Sequence, residues 1–304
     1  MNIFFADNDF MKSSIIPFRE MAAYEALWSD RTASFKRLSD LFKENPNSLP
    51  SFFVGEEKIS EFSALLREKV FSKTSDIKTN LMINSTFDYP AKLRDAKEPI
   101  EILYYSGNLE YITRPSIAIV GSRKPSNEGL VRTYKLVKLL VEDGYTIVSG
   151  LAEGIDSEAH KTAIKYGGST IAVIGTPLNV FYPKENKSLQ EFIAKKHLLV
   201  SQVPFIRYAE QTYMGNKLFF PERNKTMSAI TEATVIIEAS ETSGTLIQAR
   251  AALHQKRKLF ILQSCFENTK ITWPKKFEEQ GAIRVRGYDD IKSHLDISTS
   301  YNNE

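Results

Sequence analysis

The chain has 304 residues, 42% of them hydrophobic and 25% charged, with a net charge of +3, which is the balance of a soluble globular protein and excludes a disordered chain or a fibre. No apolar run reaches the roughly 18 residues needed to span a bilayer, and the first segment, MNIFFADNDFMKSS, lacks the basic start of a signal peptide. The single cysteine, Cys265, allows no intrachain disulfide and no cysteine-based zinc site, and this fits a reducing cytoplasm.

In chain order, residues 1–80 read as a small helical domain. MAAYEALWSDRTASFKRLSDLFKEN spaces Ala23, Leu27, Phe35, Leu38, Leu41 and Phe42 by three and four residues, with Thr32 or Ser34 as caps. Asn45-Pro46-Asn47 closes that block, because the residue before a proline is pushed out of the α region. EEKISEFSALLREKVF is a second amphipathic stretch, with Ile59, Phe62, Leu65, Leu66 and Val70 on one face.

Residues 81–304 follow a different pattern. Short apolar runs occur at IAIVG (117–121), YTIVSG (145–150), STIAVIG (169–175), HLLVSQ (197–202), TVIIEAS (234–240) and RKLFILQ (257–263). Continuous runs of this length suit strands buried on both faces of a parallel sheet. Helical stretches such as VRTYKLVKLLVEDG and SEAHKTAIKYGG lie between them and end in glycine. The alternation predicts an α/β fold, a doubly wound, Rossmann-like and mostly parallel sheet, whose ligands sit at the carboxyl ends of the strands.

Three of those ends carry small residues with hydroxyls. Gly121-Ser122-Arg123 offers a tight turn, a hydroxyl, backbone N–H groups and a guanidinium that can fork onto a phosphate. Ser149-Gly150 repeats the small turn, and Ser243-Gly244-Thr245 opens a helix N-terminus that favours an anion. The first turn lacks the full G-x-G-x-x-G fingerprint, so no dinucleotide cofactor is expected. Asp156 and His160 read as a helix cap and a packed, hydrogen-bonded residue rather than as an acid–base pair, and no metal site is completed. The stretch KLFFPERNKTM (217–227) interleaves Lys217, Arg223 and Lys225 with Phe219 and Phe220, a pattern suited to single-stranded nucleic acid, in which cations track phosphates and a ring stacks a base. Phe219 reads as core; for Phe220 both readings stand.

Charge is unevenly spread. Residues 1–86 hold 11 basic and 12 acidic side chains, whereas 184–225 holds eight basic against four acidic and 250–276 seven against one. A local excess of this kind suits a localised anionic ligand or a solvated face. No strand end offers a G-x-S-x-G elbow, a Walker lysine or clustered carboxylates, which points to binding without catalysis.

Taken together, FDYPAKLRDAKEPIEILYYSGNL (87–109), IAIVGSRKPSNEG, IVSGLAEGIDSEAHKTAI, GGSTIAVIGTPLNVFYPKEN, FFPERNKTMSAI and VIIEASETSGTLIQARAAL resemble the successive motifs of the DNA-processing protein A (DprA/Smf) family across about residues 87–265. The resemblance implies an extended Rossmann domain that binds single-stranded DNA without cutting it, in DNA uptake and recombination. It also implies hand-over of the strand to a RecA-type recombinase, a homodimer, and no membrane association. By motif, the pocket would comprise Gly121, Ser122, Arg123, Ser149, Gly150, Lys217, Phe220, Arg223, Asn224, Lys225, Ser243, Gly244 and Thr245. Departures are TPLNVFYP where the family has a glycine-rich turn, Gln202 where glutamate is usual, and LFILQS without a proline-glycine ending. The chain also stops soon after HLDIS, leaving no room for a C-terminal winged helix. Two other readings use the same superfamily. One is a sensor of a nucleotide messenger, as in phage defence. The other is a lysine-decarboxylase-like (LOG) nucleotide hydrolase, against which Gln248 occupies the position of the catalytic glutamate, and an amide takes no proton at neutral pH.

Overall fold

Three helices lead the chain in the computed structural model, which describes residues 15–72, 77–86 and 88–295. Helix α1 (Pro17–Leu27) starts on a proline, whose missing N–H has no partner to lose in a first turn. Helix α2 (Phe35–Glu44) is capped by Ser34, which accepts from the Arg37 N–H at 3.2 Å. Residues 28–34 therefore separate α1 from α2, and of the two caps the sequence offered Ser34 is the one formed. Asp30 Oδ1 takes the Thr32 N–H at 2.7 Å, so Thr32 belongs to that turn and does not cap a helix. Helix α3 (Glu56–Leu66) buries Ile59, Phe62 and Leu66 and runs into one wide turn at Arg67–Phe71.

The rest of the chain builds a nine-stranded sheet. Its strands are β1 (Asn80–Ile83), β2 (Ile102–Gly107), β3 (Ser116–Val120), β4 (Thr146–Ser149), β5 (Thr170–Ile174), β6 (Leu198–Ser201), β7 (Ala233–Ile236), β8 (Lys258–Leu262) and β9 (Ile283–Val285). The sheet-covering helices are α4 (Ala91–Arg94), α5 (Asn127–Glu142), α6 (Ile155–Lys165), α7 (Lys187–Lys196), α8 (Phe205–Glu210), α9 (Tyr213–Lys217), α10 (Phe219–Ile230), α11 (Thr245–His254), α12 (Gln263–Glu267), α13 (Trp273–Glu279) and α14 (Tyr288–His294). The strand order is β1-β2-β6-β5-β4-β3-β7-β8-β9, parallel from β6 through β9, with β1 and β2 antiparallel at one edge. The six apolar runs are β3 to β8, so the expected doubly wound, mostly parallel α/β fold is the observed one. The pattern did not mark β1, β2 or β9.

Alternation along each strand divides the core. Ile117 and Ile119 of β3 pack with Leu136, Val137 and Leu140 of α5 and Ile155 of α6, while Ala118 and Val120 face Met227 of α10 and Ala249 of α11. The N-terminal helices do not build a separate core. Met21 and Tyr24 of α1 and Trp28 just after it share one cluster with Ile102, Tyr104, Ala172 and Leu199 of the sheet and with Phe219. Glu25 fastens this contact, accepting from the N–H groups of Phe205 and Ile206 at 2.8 and 3.0 Å and from the Tyr104 hydroxyl at 2.9 Å.

Candidate functional site

After β3 the chain turns towards β4, and it later returns to the other side of β3 as β7. This reversal opens a crevice at the carboxyl ends of the strands, where doubly wound sheets place ligands. A cavity of about 470 Å³ lies there. Gly121, Ser122 and Arg123 line it from the β3 end, Phe220, Arg223 and Asn224 from α10, and Ser243, Gly244 and Thr245 from the β7 end. Three stretches widely separated in the sequence thus meet at one cavity.

The hydrogen bonds decide which of these residues have groups to offer a ligand. The Ser122 N–H donates to Glu238 O at 2.7 Å, extending the β3–β7 pairing, and is not free to hold an anion. The Ser122 hydroxyl accepts from the Lys124 N–H at 3.1 Å. Ser243 Oγ donates to Thr245 Oγ1 at 3.0 Å, which in turn donates to Gly121 O at 3.3 Å, so these two hydroxyls fasten the β7 loop onto β3. Among the described residues, no protein acceptor is bonded to the backbone N–H groups of Arg123 and Gly244 or to the exposed side chains of Arg123 and Lys124. Gly244 stands at the start of α11, so the helix dipole adds to its N–H. By contrast, the N-terminus of α5 is filled by the protein itself: Glu238 accepts from the Ser126 N–H at 3.0 Å and the Ser126 hydroxyl at 2.6 Å. Its Oε2 also lies where a side chain at Gly129 would start. A carboxylate there occupies the place that the first βα turn of a dinucleotide-binding domain gives to pyrophosphate.

Arg223 and Asn224 line the cavity, but they act as its frame. Arg223 is buried; its Nη1 donates to Gly150 O and Val173 O, and its Nε donates to Asn224 Oδ1 at 3.0 Å. Asn224 passes the connection on, donating from Nδ2 to Gly244 O at 3.2 Å. Burial lowers the Arg223 pKa, with Asp156 opposing, and burial raises that of Asp156, with Arg223 opposing. Asp156 sits in the first turn of α6 and does not cap it. Its Oδ2 reaches back to the Gly150 N–H at 3.2 Å and so holds the turn after β4.

Four expected residues are corrected by this geometry. Ser149 is fully buried and donates to Ile119 O at 2.6 Å, so its hydroxyl joins two strands. Gly150 has its N–H taken by Asp156 and its carbonyl by Arg223, which leaves the second small turn no anion-binding group. Lys225 points to the opposite side of α10, into a separate cavity of about 320 Å³, and is paired with Glu98 and Glu222 at 2.9 Å each. Lys217 lies outside the cavity, exposed, with its Nζ 4.6 Å from the Tyr213 ring centroid.

Phe219 and Phe220 divide as neighbouring helical residues should. Phe219 is buried against Trp28 and Phe35, with ring centroids 6.2 and 6.1 Å apart. Phe220 faces the cavity, backed by Gly175, where a Cβ would come within 2.7 Å of the ring. Across from it stands Tyr182, 5.4 Å away between centroids. Sequence reasoning missed Tyr182, which lies in a stretch read only as a departure, and missed Lys124, which the charge of its own motif already signalled. His160 is packed and hydrogen-bonded as expected, with Nδ1 2.7 Å from Thr170 Oγ1, and burial lowers its pKa to about 3. Gln248 is buried, and its amide donates to Asn224 O while accepting from Thr234 Oγ1 and the Ser228 N–H at 3.2 Å. Among the described residues no group of three or more His, Cys, Asp or Glu is placed to hold a metal ion. None of their helices is long and apolar enough to cross a membrane.

Comparison with known proteins agrees with this fold. The sequence profile of the DNA recombination-mediator protein A family matches residues 80–296. The DNA processing protein DprA of Streptococcus pneumoniae is 40% identical over 209 residues, 69% of this chain and 72% of that one. That of Bacillus subtilis is 34% identical over 212 residues, 69% of each chain. The crystal structure of the S. pneumoniae protein superimposes with a TM-score of 0.67 at 29% identity, covering 95% of this chain and 96% of the other. DNA processing protein A from Helicobacter pylori, whose structure describes a single-stranded DNA binding mode, superimposes with a TM-score of 0.60 at 27% identity over 71% of this chain and 95% of that one. The chain therefore belongs to the DNA recombination-mediator protein A family.

Proposed function

We propose that this protein binds single-stranded DNA through its sugar–phosphate backbone in the cavity between β3 and β7, and that it holds the strand without cutting it. The observation that carries this reading is the set of groups left unpaired there. Two exposed cations, Arg123 and Lys124, and two backbone N–H groups converge on one cavity beside the Phe220 ring. Phosphate contacts give affinity without reading sequence, and a ring accepts any base. Catalysis has little to draw on: Asp156 is engaged by the Gly150 N–H beside buried Arg223, His160 is sealed from solvent, and Gln248 replaces a base. Arg123→Ala or Lys124→Ala is expected to weaken binding to strands of every sequence and to reduce the slope of log affinity against log salt by about 0.7 per cation removed. An unchanged slope in both variants would refute the role given to these cations.

The family's description as a recombination mediator supports a finer proposal. Acting in the cytoplasm, a homodimer would deliver the strand to a RecA-type recombinase. Light scattering tests the dimer, and recombinase filament formation on protein-coated strands tests delivery. The second reading, a mononucleotide ligand, is favoured by the cavity's volume, which is that of a small-molecule pocket. Competition by free mononucleotides separates it from the first.

A further inference from the structure

We propose an outer base-stacking subsite, formed by Tyr182 and Tyr213, that takes the bases of a strand leaving the cavity. It rests on the single-strand reading above and deepens it: the protein would hold a run of nucleotides and not one.

Phe220 is a shared wall. On one side is the main cavity; on the other is a small recess lined by Tyr182, Pro183, Ala152 and Glu153 together with Arg123 and Arg223. Seated on Gly175, the Phe220 ring cannot retreat and borders both the cavity and the recess. Tyr182 closes the recess with its ring tilted 58° to Phe220, and it is 39% exposed. Its hydroxyl bonds to no group among the described residues, so the ring is held by packing and not by a polar tether.

Exposed apolar side chains also stand just before α10. Tyr213, Met214 and Leu218, at the short helix just before Phe219, are 67%, 67% and 71% exposed. Tyr208 packs its ring against Phe219, with centroids 6.1 Å apart, and its carbonyl accepts from Asn216 Nδ2 at 3.1 Å, which holds the helix of Tyr213 beside the Phe219–Phe220 start of α10. Lys217 rests over Tyr213 and places a cation beside that ring. Large exposed apolar side chains gathered on a monomer mark an interaction surface. Here the occupant follows from continuity: the Tyr182 recess shares Phe220 and Arg123 with the phosphate cavity, the helix of Tyr213 and Lys217 runs directly into the start of α10 that carries Phe220, and rings beside cations suit the bases and phosphates of a single strand. It also gives Lys217 a place in recognition, outside the cavity but along the same track.

The test uses the full chain and labelled oligothymidines of stepwise increasing length, with Tyr182→Ala, Tyr182→Phe, Tyr213→Ala and Arg123→Ala. Each variant is first checked for unchanged thermal unfolding. Tyr182→Ala and Tyr213→Ala are expected to lower affinity for long strands by on the order of tenfold each, with unchanged salt slope and with the shortest oligomers unaffected. Tyr182→Phe is expected to bind as the parent, because the ring and not the hydroxyl is used. If both alanine variants bind long strands as the parent does while Arg123→Ala fails, the outer subsite is wrong and the cavity reading stands. If Arg123→Ala also binds as the parent, the cavity reading itself falls. A change in molecular mass with Tyr213→Ala and no change in strand affinity would assign this face to a protein partner and overturn the proposal.

Discussion

Arg223 offers a sharp test, because its sequence position suggests a phosphate contact and its surroundings make it a pillar. In Arg223→Met the side-chain volume is largely kept and the charge is lost. Gly150 O and Val173 O lose charge-assisted donors, Asn224 loses the partner that orients it towards Gly244, and Asp156 is left buried without a facing cation. Removing one partner from a buried charged set costs about 3–5 kcal/mol. Against a total stability of about 5–15 kcal/mol, that is a large fraction. Urea denaturation of the two proteins should therefore show a clearly lower midpoint for Arg223→Met with an unchanged slope. Arg123→Ala, an exposed substitution, should stay within about 0.5 kcal/mol of the parent and yet lose strand binding. An Arg223→Met protein as stable as the parent but unable to bind DNA would refute the pillar assignment and restore Arg223 as a direct contact.

Other outcomes follow from the same geometry. Gly150→Ala places a Cβ 2.0 Å from Arg223 Nη1, so it should destabilise the protein and weaken binding together, seen as a lower melting temperature and a lower affinity in parallel. Lys225→Ala should cost less than about 1 kcal/mol, since its ion pairs are part-exposed, and should leave strand affinity unchanged by anisotropy. Burial raises the Glu25 carboxyl to about 7, against donors at Phe205, Ile206 and Tyr104, and burial does the same for Glu101. A carboxyl whose folded pKa is raised stabilises the fold fully below its unfolded value near 4.5 and loses that contribution as pH rises through about 7. Buried neutral His160 has the opposite sign, contributing above its unfolded value near 6.5 and losing its contribution towards about 3. Above pH of about 6.5 only the carboxyls act, so stability by denaturation should fall between about pH 6.5 and 8, and less so in Glu25→Gln.

The central strands were legible because burial on both faces leaves continuous apolar runs. The short edge strands β1 and β9 have no such run, and β2 lies in a segment without a helical partner to set off its pattern. The start of α2 was legible in Ser34, which caps it as its position suggested, whereas Thr32 is drawn into the turn made by Asp30. At the site, the glycine and hydroxyl turns showed where to look. What they hid was which donors were already spent, because the bonds from Ser122 to Glu238 and from Arg223 to Gly150 join residues far apart in sequence. Phe220, Arg223, Asn224 and Met227 are spaced by three and four residues and share the helix face that lines the cavity, which puts Lys225 on the other face.

The central claim, that the cavity takes a strand by its phosphates, is tested most directly by fluorescence anisotropy of a labelled oligothymidine at two salt concentrations, competed with duplex DNA and with mononucleotides. The cavity's free cations and N–H groups predict tight binding that weakens with salt and is displaced only by single strands. Absence of strand binding, or efficient displacement by a mononucleotide, would contradict it and turn the cavity into a site for a small nucleotide.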